Sequence, residues 1–142
     1  ASRVNMPIGV VESIPFQVST NFFIITPGND NDLWILSSWL LSVFGQIQFE
    51  WHGINQEGMR KIEKPQLLQV RVPNNLTYTQ AEIDHLKSLM KLASPLDANS
   101  LAPRDIDAFW HAKLCQTLSL EPIDEYFELM QRLCEERRDG SA

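Results

Sequence analysis

Glycine and cysteine are scarce, with six glycines and two cysteines in 142 residues. The glycines form no GxGxxG, so no dinucleotide-binding loop of that kind is written into the chain. Cys115 and Cys134 cannot build a disulfide scaffold, and both sit in segments with helical spacing, so a reduced, cytoplasmic setting is expected. There is no CxxC or HxH cluster. His111 and Cys115 share a helical face four residues apart, but a structural metal site takes about four ligands, and a packed cysteine beside a surface histidine is the expectation. No GxSxG elbow supports a serine nucleophile. Asp84 and Lys87 fall on a helix, and no clustered acids with a lysine near strand ends suit a nuclease. By itself the chain is expected to be non-catalytic. No charged segment followed by an apolar one opens it, so no secretory signal is visible. It starts Ala1-Ser2-Arg3-Val4 in what reads as a strand; removal of an initiator methionine would leave alanine first, but a piece cut from a longer protein is the expectation.

Charge is absent from Leu33 to Phe49, a run approaching the length of a membrane span. Ser37, Ser38, Ser42, Gln46 and Gln48 interrupt it, and Asp30, Asp32 and Glu50 stand at its ends. A buried core helix is expected, with no membrane as partner. The net charge of −6 argues against nucleic acid as a partner. Its distribution weakens that objection: residues 1–75 hold five basic and six acidic residues, residues 76–142 seven and twelve. The acid belongs to the C-terminal half.

The apolar pattern predicts an extended segment over Val4–Val11, bulged or at an edge because of Pro7, and a strand over Gln17–Thr26 closed by Pro27-Gly28-Asn29-Asp30. Asp30 or Asn31 is then expected to cap a helix that is apolar all round. The alternation at Ile47, Phe49 and Trp51 fits a strand or a continuing helix. Leu68, Val70 and Val72 alternate with Leu67, Gln69 and Arg71, which predicts a strand over Leu67–Val72 ended by Pro73. Three helices follow. The first has capping-box spacing at Thr79-Gln80-Ala81-Glu82, with Ile83, Leu86, Met90 and Ala93 behind it. The second carries Ile106, Trp110 and Leu114. The third starts near Pro122, carries Ile123, Phe127, Met130 and Leu133, and ends in Arg137 and Arg138, where positive charge suits the helix dipole. The last two are expected to pack as an antiparallel pair along Trp110, Leu114, Phe127 and Met130. The predicted class is α+β: a small mixed β-sheet packed on a buried apolar helix, with a C-terminal helical extension. The predicted organisation is a core over residues 1–75 and an extension over 76–142.

The stretch from Gly45 to Pro73 organises the chain. Between the apolar helix and the expected strand lies a polar loop, and Arg60, Lys61, Lys64 and Arg71 place four positive charges within twelve residues against one acid, Glu63. Gly53 and Gly58 bracket the loop. Reading base edges needs paired donors and acceptors, arginine for guanine and asparagine or glutamine for adenine. Asn55, Gln56, Arg60 and Lys61 supply that set, Lys64 suits phosphate, Arg71 is a further candidate DNA contact, and His52 borders the loop. A solvated surface loop would look the same in composition.

Three pieces also resemble a known family: Ser19–Ile25 (STNFFII), Trp34–Glu50 (WILSSWLLSVFGQIQFE) and Gly58–Pro73 (GMRKIEKPQLLQVRVP). They are similar to the target-recognition part of N6-adenine DNA methyltransferases and restriction-modification proteins, echoed in type I specificity subunits. The segment from Arg104 to Arg138 resembles the helical tail of those methyltransferases. The resemblance implies double-stranded DNA as partner, with a catalytic methyltransferase domain in the same or another chain binding S-adenosylmethionine. No cofactor is expected in this chain, which has no Asn-Pro-Pro-aromatic motif; Asn74-Asn75 is not followed by one. The rival reading is a protein-interaction module that docks a partner on its acidic helical half.

Overall fold

Asn29 starts the first helix by accepting the Asp32 amide on its side-chain oxygen at 2.8 Å, one residue earlier than the expected cap. The computed structural model describes residues 8, 10, 24–56, 59–92 and 104–139. In chain order the described residues form α1 (Asp30–Leu41), α2 (Val43–His52), β1 (Ile54–Gln56), β2 (Met59–Lys61), α3 (Lys64–Leu67), α4 (Gln80–Leu92), α5 (Asp105–Cys115) and α6 (Ile123–Asp139).

The predicted α+β class is therefore wrong for the described residues. They are mostly helical, and their strands are limited to one two-stranded antiparallel hairpin. The mixed sheet fails for two reasons. Leu67–Val72 is not a strand: Leu67 ends α3, and the chain then runs on without a neighbouring strand. Ile24, Ile25 and Thr26, at the end of the best β-run, are exposed and unpaired in any sheet. The rest of that run, and Val4–Val11 apart from Ile8 and Val10, lies outside the described residues. Ile8 and Val10 pack against the core.

The long apolar run is helical but broken at Ser42, whose backbone is extended (φ −64°, ψ 162°). Breaking a buried helix orphans amides and carbonyls that water cannot reach. Several of these groups find partners across the bend. The Ser42 hydroxyl donates to the Trp39 carbonyl at 2.6 Å, and the Gln46 side-chain amide donates to the Leu40 carbonyl at 2.9 Å. Arg104 reaches over from the start of α5 and donates to the Leu41 carbonyl. Asp107, fully buried, accepts the Val43 amide at 2.7 Å and the Arg104 guanidinium at 3.2 Å. Thus α5 holds the bend between α1 and α2.

The main core gathers Trp39, Leu40, Leu41, Phe49, Leu86, Met90, Ile106, Trp110 and Leu114, drawn from α1, α2, α4 and α5. Trp110 is enclosed by Trp39, Phe109 and Tyr78, edge to face at 5.1, 5.4 and 6.0 Å between ring centres, the geometry aromatic quadrupoles favour. Its indole N–H donates to Ser38 at 3.2 Å.

A second cluster joins Val43 of α2 to Met130 and Cys134 of α6, with Phe127 beside them. The expected Trp110–Leu114–Phe127–Met130 seam does not form, because Trp110 and Leu114 belong to the main core and α6 packs chiefly on α2. Arg137 is not a solvated dipole partner either: it is buried and paired with Glu50 of α2. Both cysteines are free, Cys115 exposed and Cys134 buried.

The α4 cap is as expected. Thr79 Oγ1 accepts the Glu82 amide at 3.1 Å, and the Glu82 carboxylate accepts the Thr79 amide at 2.9 Å. The same carboxylate takes the buried Lys113 ammonium of α5 at 2.9 and 3.0 Å. The Thr79 amide first, then Lys113, holds Glu82 below its ordinary pKa of 4.5. A depressed carboxylate contributes stability above its unfolded pKa and loses it as pH falls through the folded value. Wild-type protein should therefore lose denaturation midpoint on acidification through that range. Glu82→Gln should start lower at neutral pH and lose less on acidification; urea titrations across pH check both.

Candidate nucleic-acid interface

The polar loop expected between Gly53 and Gly58 is instead an antiparallel hairpin. Its register pairs Ile54 with Lys61, Asn55 with Arg60 and Gln56 with Met59. Residues 57 and 58 link the strands and lie outside the described residues. So do the side chains of Asn55, Gln56 and Arg60, whose backbones are placed side by side in the ladder.

The hairpin grows directly from α2. His52, half-buried, is the last residue of that helix, and Gly53 closes it by donating its amide to the Phe49 carbonyl at 2.9 Å. Lys61 is exposed and pairs with Glu63 at 3.1 Å, with both side chains about half exposed; such a pair is worth little in water. Lys64 is the first residue of α3 and exposed. Gln66 accepts the Glu63 amide at 3.0 Å, which starts that short helix.

Arg71 lies beyond α3, yet α2 and α1 hold its backbone firmly. The Gln48 side chain accepts the Arg71 amide at 2.6 Å and donates to its carbonyl at 2.9 Å. The Trp39 indole donates to the same carbonyl at 2.9 Å. A glutamine side chain thus supplies the donor and acceptor that a neighbouring strand would have given. The backbone is fixed and the Arg71 side chain is left exposed. Sequence reasoning missed Gln48 and Trp39 in this role. The available signal was an amide inside an otherwise apolar helix, since a half-buried amide needs partners.

Among the described residues, two acids close to this face are occupied. Glu50 is buried against Arg137, and Glu63 pairs with Lys61. Among the described residues no acid pairs with Lys64 or Arg71. Despite the chain's net charge, the α2–hairpin–Arg71 region therefore presents positive charge to solvent, suited to an anionic partner.

Elsewhere His111 meets the Glu121 carbonyl at 2.7 Å, with its other ring nitrogen 3.8 Å from the exposed Cys115 sulfur. The sequence had assigned burial the other way round, to the cysteine. No group of three or more metal-ligating side chains occurs among the described residues. Nor is any helix among them long and apolar enough to cross a membrane.

A family model described as "Restriction endonuclease BpuSI, specificity domain" matches residues 2–94, well over half of the chain. The matched span contains α1 to α4, the hairpin and all seven candidate contact residues, His52, Asn55, Gln56, Arg60, Lys61, Lys64 and Arg71. No curated protein and no solved structure matches.

Proposed function

Because the chain belongs to the specificity-domain family of the restriction endonuclease BpuSI, we propose that it recognises a DNA sequence for a restriction-modification enzyme through the hairpin and the Lys64–Arg71 segment. The observation that carries this reading is the coincidence of the family match with the locally positive, helix-anchored face. By residue type His52, Asn55 and Arg60 are suited to base edges, Lys61, Lys64 and Arg71 to phosphates. On this reading the protein works in the cytoplasm on double-stranded DNA. It delivers the site to a catalytic domain in the same or a partner chain, an adenine-N6 methyltransferase that binds S-adenosylmethionine.

The test is duplex binding at several salt concentrations. A protein that neutralises phosphates loses affinity with salt at a slope of about 0.9 per contact. The Arg60, Lys61, Lys64 triple alanine variant should flatten that slope by about 0.9 for each lysine or arginine on a phosphate. If Arg60 reads a base, Arg60→Ala should instead cost roughly 1–3 kcal/mol and relax preference at one position. A triple variant with wild-type affinity, specificity and slope would return the hairpin to ordinary surface and favour protein docking on the acidic helices.

A further inference from the structure

Tryptophan is the side chain a fold gains most by burying. Trp39 and Trp110 are buried here and Trp34 is half-buried, yet Trp51 is 71% exposed. It stands in the last turn of α2, three residues before the hairpin begins. One helical turn behind it is Gln48, whose side chain clamps the Arg71 backbone. Residues three apart on a helix are neighbours on its surface. The clamp therefore brings Arg71 and Val72 against the turn that carries Trp51. Val72 is 49% exposed, and Leu68, on the same segment, 73%. Ile54, opposite Lys61 at the base of the hairpin, is exposed as well.

Apolar side chains thus stand among exposed cations in the region where Glu50 and Glu63 are already paired. A surface made for another protein's apolar core would be short of charge at its centre. A flat aromatic face beside unpaired cations matches nucleic acid, which offers base faces next to phosphates. We propose that Trp51 is a stacking contact to DNA. Its indole packs on an unstacked base or opened base step of the bound duplex, while Arg71 and Lys64 hold the flanking phosphates. The proposal rests on the DNA-recognition reading and adds to it a contact insensitive to charge.

The experiment uses the full chain with a fluorescein-labelled duplex pool of randomised central sequence. Trp51→Ala should weaken binding roughly five- to hundredfold, the range for loss of one base–aromatic stack. The salt slope should stay at its wild-type value, because a neutral contact releases no counterion. Trp51→Phe should recover most of the affinity. Unlabelled pool should quench the wild-type tryptophan emission, and the quench should shrink in Trp51→Phe, since Trp39 and Trp110 are shielded. Wild-type binding by Trp51→Ala, or an undiminished quench in Trp51→Phe, overturns the stacking contact. If Lys64→Ala with Arg71→Ala flattens the salt slope in the same assay, the DNA reading survives that result. Absence of salt-dependent binding by the wild-type chain overturns both, and assigns the face to a protein partner. Should Trp51→Ala fail to fold, Trp51→Phe and the quench decide the matter.

Discussion

Replacing Asp107 with alanine should destabilise the protein by about 3–5 kcal/mol, the usual cost of removing one partner from a buried ion pair. Asp107 is fully buried and serves the Val43 amide, which is buried, and the Arg104 side chain, which is largely buried. Its Oδ1 takes the Val43 amide at the start of α2, at 2.7 Å. Its Oδ2 takes the Arg104 amide at 3.0 Å and guanidinium at 3.2 Å. Alanine would leave the amide unsatisfied and the guanidinium without its counter-charge. Arg104 is also the donor to the Leu41 carbonyl, so the bend would lose support on both sides. Asp107→Asn can still accept the Val43 amide but cannot neutralise Arg104, so it should fall between alanine and wild type. Denaturant midpoints rank the three proteins, and a midpoint for Asp107→Ala within error of wild type would show that the bend does not depend on α5. The hairpin proposed to contact DNA issues from the far end of α2. Weakened binding by Asp107→Ala at a protein concentration and temperature where it is still folded would therefore report a shift of α2 rather than a lost contact.

Gly45→Ala should also be strongly destabilising, although alanine is ordinarily the better helix residue by about 1 kcal/mol. A Cβ at this position would lie 2.5 Å from the Trp39 carbonyl oxygen, 2.6 Å from that of Leu40 and 2.7 Å from the Leu40 Cα. All three are backbone atoms of the preceding helix, and none can swing aside as a side-chain tip could. Overpacking a tight core costs about 1–3 kcal/mol, and more where the backbone must move. A net loss at or above the top of that range is expected. Separating α1 from α2 to admit the methyl group would also stretch the bond from Gln46 to the Leu40 carbonyl. Thermal or urea denaturation measures the loss, and a stabilised Gly45→Ala would show that the two helices can part without cost.

The helical half of the chain was legible because its signals are local. Thr79 and Glu82 recognise each other within one turn, and Ile83, Leu86 and Met90 recur at the helical period, so the cap and buried face of α4 follow from spacing. The same holds for Ile106, Trp110 and Leu114 on α5. The strand over Leu67–Val72 misled because alternation records side-chain chemistry and not whether a second backbone lies alongside. The side chain of Gln48 satisfied Arg71 instead, and Leu68 and Val72 remained largely exposed. The hairpin was read as a loop because three-residue strands leave almost no periodic trace.

Residue chemistry by itself determined that the Leu33–Phe49 run is core, that Thr79 caps α4, and that the positive charge of the N-terminal half gathers between Arg60 and Arg71. These depend on neighbours in the chain or on composition. Tertiary structure alone decided that Ser42 is a bend, that Arg104 and Asp107 secure it from more than sixty residues away, and that Glu50 and Glu63 are paired and leave the basic face uncovered. The physical reason is that a buried polar group requires a partner but does not specify where along the chain it comes from. Packing chooses that partner, and here the choice sets which charges remain exposed to solvent.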